Sequence, residues 1–270
     1  LDDGISNGLA GDRRETGLDV DWENGVMFSK SAQFYDAVYG FKDYEAEAEK
    51  LRELIEARVG RGSGGVLTGR STLLDVACGT GKHLELLGQY FVAEGLDLDE
   101  ELLQVARERV PGTVLHQGDM TNFDLGRRFG AVVCLFSSIG YVRTEERLRQ
   151  AVACMARHVA QGGVLVVEPW FAPETWQLGR PHALLVNEPA LKLCRMNVSA
   201  VDPREPAVSV LDFQYLVATP EGVEHFTERH ALGLFTREQY QAAFEAAGMT
   251  VEHDAEGLMG RGLYVATANT

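Results

Sequence analysis

Positive charge is scarce in this chain: 25 lysines and arginines stand against 40 aspartates and glutamates, a formal net charge of −15. Such a surface repels a phosphate backbone unless a local basic patch overrides it. No Lys/Arg run supplies one, and the pairs Arg13-Arg14 and Arg127-Arg128 read as solvated surface. Nucleic acid is not an expected partner. Cysteine is equally sparse. Cys78, Cys134, Cys154 and Cys194 are too few and too scattered for a disulfide scaffold or a zinc site. His225 and His230 are five apart in a strand pattern and fall on opposite faces, so no metal site is expected. Long apolar runs are missing too; none approaches the ~18 residues that a membrane span needs. The first residues lack a charged-then-apolar secretion pattern, and the expected location is a reducing cytoplasm.

What the chain does have is alternation. Residues 1–25 are polar, Gly-rich and aperiodic, and read as a disordered arm. Phe34, Tyr35, Val38 and Tyr39 have the spacing of an amphipathic helix. YEAEAEKLRELIEARV reads as a second helix, and residues 60–70 as a flexible link. Strands STLLDVA, FVAEGLDLD, a short one through Val114 and Leu115, GAVVCLFSS and GGVLVVEPW then alternate with helical segments. Short apolar strands joined by helices imply a mostly parallel sheet covered on both faces. After Pro169 the pattern changes. Residues 171–190 hold aromatics, prolines and room for a short helix; KLCRMNVSAV, AVSVLDFQYLVAT and GVEHFTERHALGLF read as longer strands. Ser209, Leu211, Phe213, Tyr215 and Val217 share one face of the middle strand and read as buried. Helix REQYQAAFEAA and strands MTVEHDA and GLYVATA return to the core sheet. The expected division is therefore an arm (1–25), an α/β core with its N-terminal helices (26–170), an inserted antiparallel layer (171–234), and a helix and strands completing the core (235–270).

The sharpest local signal is LLDVACGTGKH between a strand and a helix. Gly79 and Gly81 allow a tight turn and a close backbone approach to a ligand. Asp97, at the end of the next strand, is placed to accept hydrogen bonds from both hydroxyls of a ribose. Four readings compete. A Walker A loop requires Gly where Val76 stands and Ser or Thr where His83 stands. A dinucleotide fingerprint requires a third glycine where Leu84 stands. An adenosyl ligand without phosphate needs neither. Plain strand-to-helix turning is the fourth.

DVACGTG with Asp97 resembles the cofactor signature of class I S-adenosyl-L-methionine methyltransferases. The resemblance extends through FYDAVYGFKDY, LLDVACGTGKHLE, VLHQGDMTNFDLGRRF, CLFSSIGYV, GGVLVVEPWF and GRGLYVA to the TDP-aminosugar N,N-dimethyltransferases of antibiotic pathways, of the desosamine and mycaminose type. It implies a Rossmann-like, mostly parallel seven-stranded sheet with an inserted antiparallel β layer, a TDP-sugar acceptor, and a homodimer as one assembly. It also implies roles. Asp75, Ala77, Gly79 and Gly81 would shape the methionine pocket and Asp97 would hold the ribose. Asp119 and Met120 would meet the adenine, and Phe136 and Ser137 would close over the sulfonium. Asp119 equally suits capping of the following turn, and Met120 and Phe136 suit a core.

Methyl transfer to an amine requires an unprotonated nucleophile in line with the carbon–sulfur bond, so positioning and water exclusion carry most of the work. Tyr39 and Tyr141 are the candidate catalytic side chains. Some relatives carry histidine at the position matching Tyr141; a phenol, with an unperturbed pKa of ~10, suits orientation better than proton abstraction. Candidate acceptor contacts are Tyr35, Ser138, Glu168, Trp170, Phe171, Arg229 and Arg261; the resemblance implies Arg261 as the diphosphate ligand, a role a planar guanidinium suits, with Arg229 and His230 as secondary candidates. The alternatives are a methyltransferase for another small amine or hydroxyl, a non-catalytic adenosyl-binding module, and a redox enzyme.

Overall fold

The computed structural model describes residues 30–59 and 71–268. The arm expected at 1–25 and the link expected at 60–70 lie outside the described residues. A 3-10 turn at Ala32–Phe34 runs into α1 (Tyr35–Val38), and α2 spans Tyr44–Val59. The spacing of Phe34, Tyr35, Val38 and Tyr39 thus falls on a helical stretch that opens as a 3-10 turn and ends as the chain turns at Tyr39 and Gly40. α2 buries Leu51 and Ile55 completely, and Asp43 accepts from the Ala46 amide at its start.

The core sheet comprises β1 (Thr72–Val76), β2 (Val92–Asp97), β3 (Val114–Gln117), β4 (Phe129–Cys134) and β5 (Val159–Val167). Between them lie α3 (Lys82–Leu87), α4 (Glu100–Arg109) and α5 (Glu145–Arg157). α4 and α5 start where their sequences provide caps: Asp99 accepts from Glu101 and Leu102, and Thr144 accepts from Arg147. The strands pair in parallel in the order β3–β2–β1–β4–β5; β1, β4 and the second half of β5 are apolar and buried on both faces, while β3 at the edge is partly exposed.

A second layer follows: β6 (Pro181–Glu188), β7 (Leu191–Val201), β8 (Val208–Thr219) and β9 (Gly222–Gly233), all antiparallel. The chain returns through α6 (Arg237–Ala246), opened by a Thr236–Gln239 capping box. It ends in β10 (Met249–Asp254) and β11 (Leu263–Ala268). β11 joins β5 antiparallel, so the core sheet runs β10-β11-β5-β4-β1-β2-β3. β6 was not foreseen. It is an edge strand whose residues are mostly exposed, Leu185 to 74%, so its hydrophobic residues carry no period-two signature.

The face of β8 expected to be buried is buried: Ser209, Phe213, Tyr215 and Val217 point inward with Leu193 and Phe226. Phe34 and Val38 of the N-terminal segment pack on that face. The segment therefore lies between the two layers.

α3 comes unusually close to β2. A Cβ built on Gly95 would sit 2.6 Å from Leu84 Cδ1 and 2.8 Å from both Cys78 Sγ and Leu115 Cδ2. In a dinucleotide fold a glycine on the helix grants this approach; here the glycine is on the strand, beneath Leu84. Gly95→Ala is expected to lower stability by about 1–3 kcal/mol, read as a lower thermal midpoint. Leu84→Ala should then cost less in that background than in the wild-type chain, because the two sites share the same space.

Candidate active site

β1 and β4 are neighbours, yet the chain leaves β1 toward β2 and leaves β4 toward β5. This is the switch point at which open α/β sheets form a crevice beyond their carboxyl ends. Both turns there are strained. Ala77 has φ 60°, Phe136 φ 51° and Ser137 φ 62°, conformations that cost a non-glycine residue on the order of 1–3 kcal/mol. Hydrogen bonds hold them. The Gly79 amide donates to Asp97 Oδ2 at 2.8 Å, and the Cys78 amide to the Leu96 carbonyl at 3.0 Å. The Phe136 amide donates to Glu168 Oε2 at 2.7 Å, and the Ser137 hydroxyl to the Pro169 carbonyl at 2.6 Å. Gly79 itself has φ 56° and open space where a Cβ would point.

A cavity of about 880 Å³ runs from this crevice to the inner face of the antiparallel sheet. One end is lined by Ala77, Gly79, Asp97, Asp119 and Met120, the other by Trp170, Phe171, Arg195, His230 and Arg261. Tyr35, Tyr39, Phe136, Ser138 and Tyr141 also line it. A smaller recess shares Tyr35, Ala77, Gly79 and Phe136 with it and reaches Asp75 and Thr80. The N-terminal segment is fastened at both sides. Asp36 accepts from Thr80 Oγ1 at 3.0 Å and pairs with Arg109, while Glu228 of β9 accepts from Ser31 Oγ at 2.6 Å and the Ser31 amide at 2.9 Å.

Two buried carboxylates dominate the electrostatics. Burial, reinforced by the charge of Asp97, pushes Asp75 up to about 8. Burial pushes Asp97 up to about 6, against the pull of hydrogen bonds from the Asp99 and Gly79 amides. Burial also holds the Tyr35 and Tyr141 phenols well above their ordinary value.

Most of the residues singled out from sequence meet here. Asp75 lies in the recess; Ala77 and Gly79 line both spaces; Asp97, Asp119, Met120 and Phe136 line the cavity. Gly81 instead caps α3 from the left-handed region (φ 78°). Asp119 also stabilises its own turn, accepting from the Thr121 amide and hydroxyl at 2.8 Å each, and meets Arg147 at 2.9 Å. Ser137 turns its hydroxyl away to Pro169, and Ser138 takes the place at the wall. Glu168 is fully buried behind the wall, where it accepts from Phe136 and, at 3.3 Å, from Arg261. Arg261 lines the cavity with its guanidinium near the rings of Phe136, Trp170 and Phe171. Arg229 is not brought to the cavity; it pairs with Asp212 and Asp202 on the outer face of the sheet.

Arg195 was missed. Its guanidinium donates to Tyr39 Oη at 3.1 Å, stands 4.3 Å from the Phe213 ring centroid, and meets no carboxylate among the described residues. The signal was available: Leu193, Arg195, Asn197 and Ser199 share one face of β7, so a buried apolar position leads into three polar ones on the same side.

Comparison with known proteins agrees with this geometry. Residues 73–163 match the model of a methyltransferase domain family. The chain is 44% identical over 238 residues to the dTDP-3-amino-3,4,6-trideoxy-alpha-D-glucopyranose N,N-dimethyltransferase of Streptomyces venezuelae, covering 87% of this chain and 96% of the relative. Among solved structures it is similar to Streptomyces venezuelae DesVI, with a TM-score of 0.80 and 42% identity over 88% of this chain and 98% of that one. It is also similar to CalS10 with S-adenosylmethionine bound, an amino pentose methyltransferase from Micromonospora echinaspora involved in calicheamicin biosynthesis. There the TM-score is 0.77 and the identity 40%, over 88% of this chain and 97% of that one.

The Asp75 carboxyl sets a pH dependence. Its folded pKa, about 8, lies above the unfolded value of ~3.9. Its penalty on folding is therefore absent below about pH 4, grows as pH rises, and is complete above about pH 8. Asp75→Asn is expected to raise the thermal midpoint of the ligand-free protein, by a margin that widens from pH 5 to pH 8 in calorimetry.

Proposed function

Because this chain belongs to the S-adenosyl-L-methionine-dependent aminosugar N,N-dimethyltransferases, we propose that it adds two methyl groups to the amine of a dTDP-linked amino-deoxysugar in antibiotic biosynthesis. The observation that carries this reading is one continuous cavity of about 880 Å³ lined both by the glycine turn and by the antiparallel layer, so that a methyl donor and an acceptor can share it.

The residues present fit the cofactor. The open space over Gly79 leaves room for a ligand against the backbone. Asp75, in the recess, would meet the ammonium of the methionine end, a cation that favours the ionised carboxylate. Each Asp97 oxygen uses one lone pair on a backbone amide and keeps one for a ribose hydroxyl. Asp119 and Met120 would border the adenine. When bound, S-adenosylmethionine supplies an electrophilic methyl group.

The chain's own residues then position the nucleophile. Tyr35 and Tyr39, on the fastened N-terminal segment, exclude water and orient the amine together with Ser138 and Tyr141. Trp170 and Phe171 wall the sugar, and the Trp170 indole is fixed by a 2.9 Å hydrogen bond to Ser209. Arg261 and Arg195 supply positive charge for the diphosphate in an otherwise acidic protein. Glu168 acts from behind, aiming Arg261.

Among the described residues no helix is long and apolar enough to cross a membrane. We place the enzyme in the cytoplasm, acting on a small molecule rather than nucleic acid, in keeping with its net charge of −15. We further place it in a homodimer, for which the exposed Leu185, Met196, Val198 and Leu216 on the outer face of the second sheet offer an apolar contact.

Mass spectrometry of products from a panel of dTDP-3-amino and dTDP-4-amino sugars tests the acceptor. One methyl followed by a second is expected, and equal turnover of the free sugar would overturn the diphosphate contact. Arg261→Ala is expected to raise KM for the nucleotide sugar by about 10–100-fold, the worth of a hydrogen bond to a charged group, with little change in cofactor Kd.

A further inference from the structure

Each methyl transfer to an amine leaves the nitrogen with a proton that must depart before the next transfer. Two transfers at one buried nitrogen require a route for that proton. Tyr141, in the 3-10 turn Ser138–Val142 that follows β4, lines the cavity, and its hydroxyl is hydrogen-bonded to His230 Nδ1 at 2.8 Å. His230 is 2% exposed and lines the same cavity from β9. Its other ring nitrogen, Nε2, faces Glu228 Oε2 at 3.7 Å, from the residue two places back on the same strand face.

Glu228 is ionised: burial would raise its carboxyl, but the nearby His230 ring and hydrogen bonds from Ser31 and Lys30 together hold it below the ordinary range. An anion beside Nε2 favours the tautomer with its proton there, leaving Nδ1 to accept from the phenol. The arrangement follows the logic of a carboxylate–histidine–hydroxyl triad, with a tyrosine as the hydroxyl.

We propose that Tyr141, His230 and Glu228 form the proton exit of the reaction, an inference that rests on the amine-acceptor reading above. As an N–H bond of the amine breaks, its proton passes to Tyr141 Oη. The tyrosine's own proton passes to His230 Nδ1, and the resulting imidazolium is held by the Glu228 carboxylate. No bond is left over, and the tyrosine ends as it began. Because the phenol stays neutral throughout, its buried position, which opposes ionisation, is no obstacle. Tyr141 touches the reacting nitrogen; His230 and Glu228 act through it.

Beyond Glu228, the charged and titratable groups around Tyr141 are Tyr35 from α1, Tyr39 just after it, Arg195 from β7 and Tyr215 from β8; His230 is also packed against the Phe213 ring at 5.1 Å. None of these is a carboxylate, so Glu228 is the group that rewards a proton on the ring.

The test is the pH profile of kcat for His230→Gln, Tyr141→Phe and the double variant, at saturating cofactor and dTDP-amino sugar. His230→Gln and Tyr141→Phe are each expected to lower kcat at pH 7 by about 10²-fold, the lower end of general acid–base contributions. Acceptor KM and adenosylhomocysteine binding should change little, which verifies the fold. The double variant should be no slower than either single one, because the two act as a unit. Variant rates should depend more steeply on pH than the wild-type rate, because solvent base must then take the proton that the relay no longer accepts. Wild-type kcat and pH profile retained in both single variants would overturn the relay while leaving the acceptor assignment standing. Wild-type enzyme that methylates no amino sugar on the panel would overturn both.

Discussion

The hydrogen bond from the Gly79 amide to the Asp97 carboxylate, 2.8 Å long, is the contact around which the site is organised. It ties the turn after β1 to the end of β2, so the strained stretch Ala77–Gly81 cannot relax without releasing a buried charge. The same carboxylate accepts from the Asp99 amide, and Asp99 in turn caps α4. One acidic residue therefore fixes the glycine turn and, through its neighbour, the start of the next helix. Its remaining lone pairs face the cavity.

The second constraint is the N-terminal segment. A short helix such as α1 has too few intrahelical bonds to stand alone, and its order comes from what it touches. Asp36 holds it to Thr80 and Arg109 on the cofactor side; Glu228 holds Ser31 on the acceptor side; Phe34 and Val38 fill the apolar gap against β7–β9. The two layers are thereby joined by a segment that belongs to neither. Glu228 takes part both in this latch and in the environment of His230, so one carboxylate serves the N-terminal segment and the proposed relay.

How much of this was legible in the sequence depends on how locally each feature is encoded. The parallel core was, because β1, β4 and β5 are short apolar runs whose only stable setting is between two helical layers. The glycine turn and Asp97 were as well, since spacing along one strand–turn–helix–strand unit suffices to join them. β6 was hidden by its exposure. The pairing partners were hidden for a different reason. That Arg261 meets Glu168, that Arg229 faces Asp212, and that His230 reaches Tyr141 are products of tertiary approach between elements distant in sequence. Residue type alone made Arg229 and Arg261 equivalent candidates; strand phase separates them, since on β9 the inward face carries Phe226, Glu228 and His230. The same phase argument on β7 would have promoted Arg195.

Strain and charge at the switch point run against stability, and their placement explains why they persist. Ala77, Phe136 and Ser137 hold left-handed backbone with side chains that disfavour it, and Asp75 and Asp97 lose hydration without full compensation. All five stand at the ends of β1, β2 and β4, where the fully buried sheet is stiffest and can bear the load. In the cofactor reading proposed above, a ligand bringing an ammonium group to Asp75 and hydroxyls to Asp97 would relieve what folding leaves unsatisfied, so its binding energy would include the removal of that burden. A ligand without a cationic end would recover only part of it.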